Sequence, residues 1–147
     1  MAIDEITIER PGAATLPVAV DPIARNWLAL SKARHTTATA LDTYVRLYWE
    51  PMMERKGAVL ANDRGPDAEK RFDAAHAEIN EETERLGSAA YRAEKDWLSA
   101  PAPTVHAVLE KMIFVRDTGI DLDRERLEVV ISDLRRLSGG AVLTSLF

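Results

Sequence analysis

The chain contains no cysteine, which excludes disulfides, thiolate metal sites and a cysteine nucleophile. Without such staples its 147 residues must hold themselves by packing, and 46% hydrophobic residues is enough to bury a core in one domain. It also lacks any block of Lys and Arg. With a formal charge of -5 and a pI near 5.2 it has no basic surface to displace counterions from a phosphate backbone, so nucleic acid is not an expected partner. No apolar run approaches the roughly 18 residues that span a bilayer. Residues 1–10 begin with Asp4 and Glu5 where a secretory signal would be basic. A cytoplasmic protein with no membrane partner is the expectation. No Ser-His-Asp set, Gly-rich phosphate loop or dinucleotide fingerprint is present either.

What is there reads as helix. Residues 1–20 stand apart: Ile3, Ile6 and Ile8 alternate imperfectly with acids and Thr, and Pro11, Gly12 and Pro17 forbid a continuous helix, giving an extended N-terminal arm. Asp21-Pro22 is a helix start, Asp as N-cap and Pro in the first turn where no amide is needed. Ile23, Trp27, Leu30, Leu41, Val45 and Tyr48 then recur in steps of three and four or their sums, a single helical face running to Trp49. Pro51 is expected to end or kink this helix, and 57–66, with Asn62-Asp63 and Gly65-Pro66, has the composition of a loop. A second long helix is expected from Asp67 to Ser99, with Phe72, Ala75, Ile79, Leu86, Ala90, Ala93 and Trp97 on one face, before Pro101 and Pro103 stop it.

Two apolar stripes joined by a short connection pack on each other, because neither helix shelters its own face. The predicted fold class is therefore all-α: a long antiparallel helical hairpin capped by two shorter helices, four-helix bundle-like, behind the N-terminal arm. Thr104 opens the first capping helix, with Val105, Val108, Leu109, Met112 and Ile113 inward and Gly119 closing it; Asp121 opens the second, with Leu127, Val130, Ile131, Leu134 and Leu137 inward. These two helices are expected to cover the end of the hairpin that holds Trp27 and Trp97. The organisation is thus an arm over 1–20, one helical domain over 21–138 and an apolar tail over 139–147. Each long stripe is broken once by a charge, Arg34 in the first and Glu82 in the second. The two lie symmetrically about residue 58, near the middle of the connection, so they are expected to meet across the seam and set its register.

Four constellations bear on chemistry. Asp117, Asp121, Asp123 and Glu128 match some oxygen positions of a calcium loop, but Leu122 stands where the sharp turn needs Gly. Glu78, Glu81, Glu82 and Glu84 read as a solvated helix face with Glu81 paired to Arg85. Asp73-x-x-His76 is half of a di-metal motif with no second half in the chain. No metal and no cofactor are therefore expected. Arg71 and His76 have an Arg-x4-His spacing that resembles the ribonuclease motif of helical HEPN domains. The resemblance implies proton transfer by His76 and phosphate stabilisation by Arg71, with Phe72 where that family usually has a polar residue.

The layout from Asp21-Pro22-Ile23 through two long helices to Trp97-Leu98-Ser99-Ala100-Pro101-Ala102-Pro103-Thr104 resembles small uncharacterised helical proteins of alphaproteobacteria and their prophages, over about residues 21–115. It keeps Leu98, the prolines and Thr104 of that pattern, and has His106 or Ala107 where a Gly would follow. No activity is implied. The expected function is a non-enzymatic protein-interaction or assembly module, phage-related on that resemblance, acting as a homodimer through Leu28, Tyr44, Leu47, Leu146 and Phe147. The alternatives are a helical ribonuclease using Arg71 and His76, and a small acidic inhibitor of a basic partner.

Overall fold

Asp21 begins the first helix as its sequence suggests: its Oδ1 accepts a hydrogen bond from the Ile23 amide at 3.1 Å, and Pro22 takes the first helical position. Such a cap contributes about 1 kcal/mol. The structure is a computed structural model and describes residues 21–139, so the arm, the tail and with it Leu146 and Phe147 lie outside the described residues. Every regular element among the described residues is helical. They are α1 (Pro22–Tyr44), a π-helical turn (Val45–Trp49), α2 (Glu50–Asn62), α3 (Ala68–Ala75), α4 (Ala77–Ser99), α5 (Val105–Thr118) and α6 (Arg124–Leu137).

Pro51 does not stop the first arm of the hairpin. A proline inside a helix has no amide to donate, and its ring collides with the carbonyl four residues back. The chain widens by one residue just before it, so that the Glu50 amide reaches the Val45 carbonyl, and the helix then continues to Asn62. Gly57 to Asn62 is therefore helix, and only Asp63 to Asp67 forms the turn. Asp63 closes it: Oδ1 accepts from the Gly65 amide at 3.0 Å and Oδ2 from Arg71 at 2.8 Å, and both bonds hold its carboxyl below the usual carboxylate range, the backbone bond the more strongly.

The return arm of the hairpin is interrupted at His76, where one continuous helix is expected from the sequence. His76 leaves helical geometry at φ -118°, ψ 22°, and its ring stacks on Phe72 at 4.1 Å with Nδ1 2.9 Å from the Phe72 carbonyl oxygen. Phe72 and Ile79 stay on the inner side across the break, so the apolar pattern alone does not register it. Lys56 ties α2 to α3 through Asp73 at 2.8 Å and Glu69 at 3.4 Å. Met52, Ala68 and Phe72 are buried at this closed end.

The main core lies at the opposite, open end. Trp27 and Trp97 meet with ring centroids 5.0 Å apart, Phe114 meets Trp97 edge-on at 5.5 Å, and Leu98, Ala102, Ala107, Val108 and Val130 are buried with them. The Trp97 indole N–H donates to Ser31 Oγ at 3.1 Å, which removes the cost of burying that donor. α5 and α6 thus cap the tryptophan end, as expected. Thr104 caps α5 by accepting from the Ala107 amide at 3.0 Å, and Gly119 closes it at φ 68°. α5 is rotated from the expectation, whereas α6 keeps Val130, Leu134 and Leu137 against the core. α5 turns Ala107, Val108 and Lys111 inward while Val105, Leu109, Met112 and Ile113 are exposed, and α6 leaves Leu127 exposed. α6 starts after Asp123, whose Oδ1 accepts from the Arg126 amide at 2.9 Å, and not after Asp121.

The moved turn corrects the register. Arg34 and Glu82 do not meet: the Arg34 guanidinium lies 4.0 Å above the centre of the Trp97 ring, and the Glu82 carboxylate is held by Arg85 on its own helix. With the turn at Asp63 to Asp67 instead of near residue 58, each position on α1 faces a position further along α4. Glu82 comes beside Tyr44 as a result.

Candidate functional site

Where α5 and α6 do not reach, the hairpin leaves an open groove of about 470 Å3 between its two arms. Thr39, Ala40, Thr43, Tyr44 and Tyr48 line it from the first arm and Leu86 from α4. Tyr44 and Tyr48 are four residues apart on one face, and their rings pack with centroids 4.8 Å apart. Desolvation raises the Tyr44 hydroxyl above its ordinary value, and the carboxylates of Glu82 and Glu78 add to this. It therefore remains a neutral donor at any physiological pH. Among the described residues no Lys, Arg, Asp or Glu lines the groove, and His35 is its one imidazole. Amphipathic aromatic rings in an uncharged hollow offer contact area and hydrogen bonds, which is what protein interfaces are made of, and no nucleophile and base are paired in it.

A second polar constellation is buried. Lys111 is 1% exposed and Asp133 2% exposed, and Lys111 Nζ lies 3.7 Å from Asp133 Oδ2. Between α4 and α5 the prolines force Ala100 to Ala102 into an extended path that cannot bond to itself. Lys111 donates to the Ala100 carbonyl, the Ala102 amide donates to Asp133 Oδ2 at 2.9 Å, and Arg136 donates both to the Ala102 carbonyl and to Asp133 Oδ1, the latter at 2.8 Å. Burial pushes the Lys111 ammonium below the ordinary lysine value, and Asp133 opposes that shift. Lys111 Nζ also lies 5.3 Å from the Trp27 ring centre. Every partner in this network is a group of the chain itself, so it clamps the proline segment.

Of the residues singled out from sequence, Tyr44 lines the open groove, whereas Leu28 and Leu47, at 71% and 57% exposure, do not line it. The Arg71 guanidinium is tied to Asp63 and the His76 ring to Phe72, so the geometry brings these two to different partners and not to a shared opening. Arg85 pairs with Glu82 and not with Glu81. Asp73 belongs to Lys56, Asp117 bonds Arg116, and Asp123 caps α6. Among the described residues no three His, Asp or Glu side chains converge as a metal site, and no helix is long and apolar enough to cross a membrane.

No family model, no curated protein and no solved structure matches the chain. Lys111 and Asp133 are the residues that a reading of the sequence misses. The signal for them was there: Lys111 follows Val108 by three and Asp133 follows Val130 by three, so each puts a charge on an otherwise apolar helical face.

Proposed function

We propose that this chain is a non-enzymatic protein-interaction module that pairs with a second copy of itself through the groove containing Tyr44, Tyr48 and Leu86. The observation that carries the reading is that groove, an uncharged, aromatic-lined hollow of about 470 Å3 on an otherwise highly charged protein. Two copies that each carry a formal charge of -5 repel over most of their surfaces, and an uncharged strip is where they approach at least electrostatic cost. A two-fold pairing also gives each copy an identical, self-complementary patch, the commonest closed arrangement for soluble proteins. Half-exposed Tyr48 supplies an anchor of the kind that dominates interface energies.

Light scattering on the purified full chain tests this directly. A dimeric mass in the micromolar range, converted to a monomeric mass by Tyr48→Glu with the helical circular dichroism retained, is the expected result. A monomeric mass for the unsubstituted chain up to about millimolar concentration, the range of the weakest specific contacts, overturns it.

A further inference from the structure

We propose that Arg34 marks a separate binding site for a small apolar monocarboxylate, on the part of the hairpin where α5 approaches it. The Arg34 guanidinium carbon lies 4.0 Å above the Trp97 ring centre and 5.1 Å from that of Phe114, so aromatic faces hold its plane and occupy its apolar sides. Its in-plane donors are another matter. A guanidinium has five N–H donors, yet among the described residues Arg34 makes no ion pair and no side-chain hydrogen bond, and its Nε is shut off from solvent with no acceptor. A shielded donor of a charged group is costly to leave unmade, and among the described residues none supplies its acceptor, while the two terminal nitrogens of the fork remain for a ligand.

The acceptor has a place to sit. Arg34 stands at a groove of about 350 Å3 whose apolar wall includes Leu41, Val45, Ala90 and Phe114. That volume is at the small end of the range for organic ligands. The fork of a guanidinium matches a carboxylate with two parallel hydrogen bonds, and the apolar wall takes a hydrocarbon body attached to it. Asp42 and Glu94 border the same groove, and Asp42 is already paired with Arg46 at 3.3 Å. These carboxylates repel a dianion, so the site selects a single negative charge over a phosphate. The ligand class is therefore a monocarboxylate with a compact aliphatic or aromatic body. The groove with Tyr44, Tyr48 and Leu86 shares none of these lining residues, so this site does not depend on pairing of two copies.

Octanoate titrated into the full chain is the probe, followed by calorimetry and by the fluorescence of the tryptophans, one of which lies under Arg34. Octanol and octyl phosphate are titrated in parallel. The expected result is saturable octanoate binding, at least about tenfold weaker binding of octanol and of octyl phosphate, and a loss of at least about tenfold on Arg34→Met, which keeps an unbranched apolar stem over Trp97. Equal affinity for octanoate and octanol overturns the proposal, as does undiminished binding by a folded Arg34→Met chain or the absence of saturable octanoate binding. Should Arg34→Met lose its helical circular dichroism, the ligand comparison on the unsubstituted chain decides, together with amide shift changes on octanoate addition. Changes confined to the neighbourhood of Arg34, Leu41 and Phe114 support the site, and changes elsewhere overturn it.

Discussion

Asp133 holds more of this structure than any exposed charge. Its two oxygens receive the Ala102 amide, Arg136 and the nearby Lys111 ammonium, all at a position 2% exposed. Asp133→Ala leaves a buried ammonium without a counter-charge and a buried amide without an acceptor. Removing one partner of a buried pair in this way costs about 3–5 kcal/mol, to be read from urea unfolding. Lys111→Met is milder. It removes the charge along with its burial cost and orphans the Ala100 carbonyl, a loss of about 1–3 kcal/mol. The pH dependence has a definite direction. Burial depresses the Lys111 pKa in the folded chain, so between that value and the ordinary lysine value near 10.5 the unfolded chain binds more protons than the folded one. The stability of the native chain relative to Lys111→Met should accordingly be lowest below the folded pKa, rise with pH through that window and level off above it. A flat or falling difference in unfolding free energy would sink this assignment.

At the scale of elements, the helix ends that carry their own side-chain or conformational solution are where composition placed them. Asp21-Pro22, Thr104 and Gly119 are each satisfied by atoms within a few residues, so no distant contact is needed to specify them. Gly119 adopts φ 68°, a left-handed conformation that costs a residue with a side chain about 1–2 kcal/mol. Gly119→Ala should lower stability by about that amount, although nothing lies within 4 Å of the position a Cβ would take, so the effect is conformational and not steric. The same change at Gly57, inside α2 with equally open space, should instead stabilise by about 0.5–1 kcal/mol, and thermal unfolding of the two variants checks the contrast. Pro51 and His76 show the limit of local reading. A proline can end a helix or be absorbed by a widened turn, and both relieve the same clash; packing of Met52 at the closed end accompanies the second outcome. The break at His76 is invisible to periodicity because the apolar positions on either side keep their spacing.

The molecule as a whole has two buried ends, one around Trp27 and Trp97 and one around Met52 and Phe72, with a hairpin between them that exposes aromatic surface. If that surface pairs two copies, folding and association are linked by mass action, and the unfolding temperature rises with protein concentration. Scanning from about micromolar to about hundred-micromolar chain should show that rise, and Tyr48→Glu should remove it; a concentration-independent midpoint argues for a monomer. The acid-rich flank of Glu78, Glu81 and Glu82 beside Tyr44 adds that higher salt should strengthen pairing by screening repulsion between copies.

Helical class, the hairpin, the capping pair and the placing of both tryptophans at the open end were legible in the chain. Each follows from apolar spacing and from caps that act within one or two turns. The register, the rotation of α5 and the polar clamp were decided only by tertiary structure. Register depends on where the turn falls, and a first arm that runs on through Pro51 to Asn62 puts the turn at Asp63 to Asp67 and parts Arg34 from Glu82. The clamp exists because an extended proline segment needs donors and acceptors, and it found them on Lys111, Asp133 and Arg136, residues that only folding brings to the same few ångströms. Arg34, read as a link across the seam, lies instead against Trp97, with its Nε unanswered among the described residues.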